Sequence, residues 1–263
     1  MNHRGGLALI IATWSSWLQY RGFFFLLAFG WMIPPLIYLL VWSTAAGERA
    51  VAGLGRDDLI TYYLVLILVN QLTYAQANWT VGDLIHDGRM NVLLLRPIPP
   101  LYDAIASEVA GKVVYLAFDL PVVALLAVLL RPEVRIVPQA VLPFALALVL
   151  AWALRFFWGY WLALLAFWTT RSSALLAAQD ALVFLLAGLV APMALLPAWL
   201  RGAATLLPFR YMVGFPVEVL TGQVTGAAVA QGFALQAGWL LVALALSAAA
   251  WRAGLRHYTA VGG

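Results

Sequence analysis

Cysteine is absent from the 263 residues. This excludes disulfides, a thiol nucleophile and any metal site with cysteine ligands. Charge is scarce as well. Asp, Glu, Lys and Arg make up 10% of the chain, against about 25% in a soluble domain. Hydrophobic residues reach 65%, where about 45–50% is usual. So little polar surface cannot cover a water-facing fold, and the chain reads as an all-α integral membrane protein. The net charge of +4 is scattered and forms no basic face, so no nucleic-acid partner is expected.

Catalytic signatures are missing too. Neither G-x-S-x-G nor H-E-x-x-H occurs. The three histidines, His3, His86 and His257, lie far apart in sequence, and no metal centre is expected. The sole lysine, Lys112, sits in Ala-Gly-Lys-Val-Val. It lacks the upstream glycine and the following Ser or Thr that a phosphate-cradling loop needs. The chain is therefore expected not to be an enzyme and to carry no cofactor. A span needs about 20 apolar residues. Six spans leave room for loops but not for an added soluble domain, so an energy-coupling domain must belong to another polypeptide.

Along the chain, Leu7, Ile10, Ile11, Trp14, Trp17, Leu18 and Arg21 recur at helical spacing. This predicts a helix lying in the membrane interface over residues 1–22. Spans are expected at about Phe23–Ser43, Leu59–Trp79, Ser107–Leu130, Gln139–Trp168, Ala174–Leu195 and Val229–Trp251. Pro34 and Pro35 predict a kink in the first. Residues 82–97 look neither lipid-facing nor like a simple turn. Residues 197–216, broken by Pro197, Pro208 and Pro216, suit two short helices dipping into the interface rather than one span. With both ends cytoplasmic, eight Lys/Arg lie inside and six outside, a weak preference for that orientation in a plasma (inner) membrane.

The remaining polar groups are the functional candidates. Asp119, Arg155 and Asp180 interrupt apolar helices, where a charge usually faces protein or water and marks a pathway or gate. Asn70 and Gln71 are amides in the same position. Asp83 and Asp87 lie one helical turn apart beside His86, but a cation on a diphosphate needs carboxylates from a second element. Two alternatives stand beside a transporter subunit: a polytopic enzyme acting on lipid-linked substrates through Asp83, His86 and Asp87, and a proton-coupled transporter using Asp119 or Asp180.

The order of parts resembles the membrane subunit of ABC-2-type transporters. One string is Ile85-His86-Asp87-Gly88-Arg89-Met90-Asn91-Val92-Leu93-Leu94-Leu95-Arg96-Pro97, similar to the branch with a Leu-Leu-Arg-Pro segment. The other is Gly188–Pro216, with its spaced prolines and its Leu-Pro-Phe. The resemblance covers nearly the whole chain. It implies a coupling helix within residues 82–97, through which Asp83, His86, Asp87, Gly88, Arg89 and Asn91 meet a cytoplasmic ATPase. Leu93–Leu95 would anchor it to the membrane side, and Asp83 would sit near a helix N-terminus. It also implies an interfacial elbow at the start and re-entrant outer helices before the last span. The partners would be two ATPase subunits carrying ATP and Mg, a second permease, identical or paralogous, and membrane lipid. The activity implied is export of a hydrophobic or amphipathic compound.

Overall fold

The computed structural model describes residue 11 and residues 21–47, 49–134, 136–170 and 172–258; side chains are described at residue 11 and from residue 30, except residue 31. The interfacial helix expected over residues 1–22 lies almost wholly outside them. The described chain is helical, and its only β-type pairing is the isolated bridge Val51–Leu54. The elements are α1 (Arg21–Ala45), α2 (Arg56–Thr73), α3 (Ala77–His86), α4 (Met90–Leu94), α5 (Pro100–Leu130), α6 (Val141–Leu164), α7 (Ser172–Leu186), α8 (Ala198–Leu206), α9 (Phe209–Met212), α10 (Gly214–Leu220) and α11 (Ala227–His257).

Four helical stretches are long and apolar enough to cross a membrane: Arg56–His86, Pro100–Leu130, Pro138–Phe167 and Ala227–His257. Met32–Ala45 and Ser172–Leu186 are shorter apolar helices. At 1.5 Å per residue, the 15 residues of α7 span about 22 Å, less than the roughly 30 Å of a bilayer's hydrocarbon core. The fifth span thus ends nine residues before the expected Leu195. From Ala187 the chain turns into an irregular, bent segment held by side chains from other helices. The fourth span falls within one residue of its expected limits, and the helix of the sixth runs six residues past its expected end at Trp251.

Helix limits follow local chemistry. Asp57 and Asp58 open α2, where their charge suits the N-terminal dipole. The Asp58 carboxylate also accepts the Gly55 N–H at 2.9 Å. Pro100 opens α5, a position where its missing N–H is no loss. That start is seven residues earlier than hydropathy alone indicates. The second span, expected to be continuous to Trp79, breaks after Thr73 and resumes at Ala77. Asn70 and Thr73 are polar there, and the Thr73 hydroxyl competes for the Asn70 carbonyl at 3.3 Å. Residues 197–216 form α8, α9 and the start of α10, so three short helices replace the two expected.

Two apolar clusters make the core. One gathers Leu66 and Val69 of α2, Leu154 of α6, Val183 of α7 and the α9–α10 segment. The other gathers Ala75 of the α2–α3 break, Val81 and Ile85 of α3, Phe156 of α6 and Leu176 of α7, with Met90 and Leu93 of α4. Helix α11 packs mainly along α6. The border between the clusters falls at residues 70–74, 155 and 177–182, at the end of α2 and in the middle of α6 and α7.

Candidate functional site

That border is polar. Arg155, 4% exposed, projects from α6 against the end of α2. Its Nη1 donates to Asn70 Oδ1 at 2.9 Å, to Thr73 Oγ1 at 3.2 Å and to the Asn70 carbonyl at 3.4 Å. Its guanidinium lies 5.0 Å from the Tyr74 ring centre. Asp180 of α7 stands 3.8 Å from Nη2, with its side chain 21% exposed. A charge at this depth is tolerated when it faces protein and meets acceptors. Here one cation ties α2, α6 and α7. Below it, Asn78 of α3 donates to the Phe156 carbonyl at 3.0 Å. Gly159 makes that approach possible, because a Cβ there would lie 2.3 Å from Asn78 Nδ2 and 3.2 Å from Gln179 Oε1.

A second pair of charges sits at the α2–α3 break. Glu108 Oε1 accepts the Ala77 N–H at 2.5 Å, and Lys112 Nζ donates to the Tyr74 carbonyl at 2.6 Å. The two side chains meet at 3.2 Å. Gln71 and Gln76 line a small cavity beside them, with Ser107, Gly111 and Tyr115.

The Pro208 end is clamped differently. Tyr62 donates to the Gly188 carbonyl at 3.0 Å, and Tyr63 and Trp42 donate to the Val190 carbonyl at 3.0 and 2.7 Å. These bonds satisfy the bent chain after α7, which would otherwise bury bare carbonyls. Arg210 and Glu218 pair across α9 and α10 at 2.5 Å, with Glu218 only 1% exposed. Gln236 of α11 donates to the carbonyls of Ala147 and Tyr211 at 3.0 and 2.9 Å.

At the opposite end lies the segment 82–97. It is not one helix. Helix α3 runs to His86, the chain turns at Asp87-Gly88-Arg89, and the five-residue α4 follows. Gly88 has φ +70, a conformation that side chains disfavour, and it makes the reversal. Asp83, His86, Asp87 and Arg89 are exposed, Asn91 is half-buried, and Met90 and Leu93 pin the turn to the core. Two expectations change here. Asp83 lies in the last turn of α3, away from any helix N-terminus. Of Leu93–Leu95 only Leu93 is buried, while Leu95 is 87% exposed. The turn also faces a cleft whose other walls are residues 166–170 and His257-Tyr258. That cleft brings together His86 and His257, distant in sequence. Among the described residues, no three His, Asp or Glu side chains are grouped to hold a metal.

Asn70, Arg155 and Asp180, picked from sequence one by one, thus belong to a single cluster. Gln71 faces the neighbouring cavity. Asp119 stands apart: it is fully buried on α5, neither carboxyl oxygen has a hydrogen-bond partner, and no ion pair joins it to Arg155. The sequence reading missed Glu108, Arg210 and Glu218, and took Lys112 only as a failed phosphate-loop lysine. The spacing of Glu108 and Lys112, i and i+4 in an apolar run, was the available signal.

A bundle of apolar helices with a polar layer between its two apolar clusters and an exposed polar turn at one end defines a polytopic membrane protein. The family model described as ABC-2 family transporter protein matches residues 31–262, and the chain belongs to that family. It is therefore the transmembrane component of an ABC transporter, a membrane subunit rather than a catalytic one, of a family that works with ABC ATPase partners. No curated protein and no solved structure matches it.

Proposed function

We propose that this chain is the permease of an ATP-driven exporter, powered by two separate ATPase subunits that dock on the Asp83–Asn91 turn. The observation that carries this reading is the turn itself. Its polar side chains are exposed, its apolar ones fix it to the core, and α3 runs from it directly to the polar layer. A push on the turn is thereby delivered along α3 to Asn78, beside the layer. Substrate access would alternate at an interface with a second permease, identical or paralogous. The cargo would be hydrophobic or amphipathic. The distribution of Lys and Arg supports cytoplasmic termini in a plasma (inner) membrane, and the Leu93–Pro97 run supports the Leu-Leu-Arg-Pro branch.

The test is affinity purification of the tagged chain from native membranes in mild detergent, with ATP hydrolysis measured on the eluate. A P-loop ATPase should accompany the wild-type chain. It should be lost from the double variant Asp87→Ala, Arg89→Ala, while thermal stability changes by no more than about 0.5 kcal/mol, because both side chains are exposed. A wild-type chain that is purified alone, without ATPase activity, would sink the proposal.

A further inference from the structure

The break between α2 and α3 exposes two helix ends inside an apolar bundle. The last carbonyls of α2 carry partial negative charge and the first N–H groups of α3 partial positive charge. One pair of side chains on α5 meets both. Lys112 donates to the carbonyl of Tyr74, the residue that closes α2. Glu108 accepts the N–H of Ala77, the first residue of α3. The polarity matches at each end, and the two charges also neutralise each other at 3.2 Å. Both are largely withdrawn from solvent, at 3% for Glu108 and 17% for Lys112.

From this geometry we infer that Glu108 and Lys112 are positioning residues for a pivot at Tyr74–Gln76. The inference rests on the transporter reading for its use but not for its geometry. An unbroken helix would carry motion of the turn through the whole length of residues 56–86. The break confines it. Above, α2 is fixed by the Asp58 cap, by the Tyr62 and Tyr63 hydroxyls and by Arg155. Below, α3 carries the exposed turn. An ammonium is a compact charge with three rotatable donors, so its contact with a carbonyl survives rotation that would break an ordered backbone ladder. The clasp therefore keeps the two helix ends satisfied while α3 changes its angle. A small cavity bordered by Gln71 and Gln76 lies beside it.

The cysteine-free sequence permits a direct test by paired spin labels in the full chain, purified with whatever binds it. One pair, Thr80→Cys with Val113→Cys, reports α3 against α5. The other, Arg56→Cys with Val128→Cys, reports α2 against α5; all four positions are exposed. Each pair is combined with Glu108→Gln, with Lys112→Met, and with the swap Glu108→Lys, Lys112→Glu. The swap keeps an ion pair at i and i+4 but sets the wrong sign against both helix ends. In the absence of nucleotide, all three changes should broaden or shift the α3–α5 distance distribution by about 2 Å or more and leave the α2–α5 distribution as in the wild type. A swap variant indistinguishable from the wild type overturns the inference, and so does a change that moves both distances together. Should the swap fail to fold, the single variants give the same two readouts. In wild-type complex trapped with ATP and vanadate, the α3–α5 distance alone should change; equal change in both pairs refutes the pivot. Absence of any co-purifying ATPase refutes the transporter reading by itself, and the nucleotide-free distances still decide the pivot.

Discussion

Replacing Arg155 with methionine should destabilise the fold more than neutralising its partner Asp180. The structure sets the sizes. At 3.8 Å and an effective dielectric near 20, the gross attraction between the charges is about 4 kcal/mol. Desolvating a guanidinium that is 4% exposed cancels much of that. The three hydrogen bonds from Nη1 to Asn70 and Thr73 remain. Interhelical bonds within a membrane contribute about 0.6 kcal/mol each on average and at most about 1.7. Arg155→Met removes all three, separates α2 from α6 and leaves Asp180 without its cation; we expect a loss of about 3 kcal/mol. Asp180→Asn keeps those three bonds and relieves a carboxylate that already reaches solvent, so about 1 kcal/mol is expected. The double variant should cost about 3 kcal/mol, less than the sum, because removing Asp180 no longer strands a charge. The assay is unfolding of the purified chain in mixed micelles with rising SDS, followed by fluorescence of its 12 tryptophans. Strict additivity, or an Asp180→Asn loss equal to that of Arg155→Met, would refute the view that Arg155 works through α2 rather than through the ion pair.

Three further outcomes follow from the same contacts. Gly159→Ala places a Cβ 2.3 Å from Asn78 Nδ2, and overpacking of this kind costs about 1–3 kcal/mol; a drop in thermal midpoint reads it, and Asn78→Ala in the same chain should recover part of the loss. Tyr62→Phe removes one buried bond to the Gly188 carbonyl and should cost about 1–3 kcal/mol, since the carbonyl is left unsatisfied; proteolysis near residues 187–191 should rise with it. Arg210→Met leaves Glu218, 1% exposed, without its counter-charge and should cost about 3–5 kcal/mol in the same SDS titration, while Arg210→Met with Glu218→Gln should cost less than the single change.

Composition alone determined that this chain lives in a membrane, since 10% charged residues cannot solvate a fold of this size. The apolar runs located the helices, because span length is set by the bilayer and leaves its mark in hydropathy. The Ile85–Pro97 string and the spaced prolines of 197–216 identified the family-like parts in order. Arg155, Asp180 and Asn70 were visible as misfits in apolar helices. Their partnership was not, because the three lie 25 to 110 positions apart and only packing brings them together. The break at Tyr74 was equally hidden. Asn70, Gln71, Thr73, Gln76 and Asn78 mark the stretch as polar but not where the helix ends, and the side chains that satisfy its two ends are a glutamate and a lysine more than 30 positions further on. Sequence records which groups are unusual for their surroundings. Which of them satisfy one another depends on the tertiary structure, because a buried polar group is stable only where another element supplies its partner.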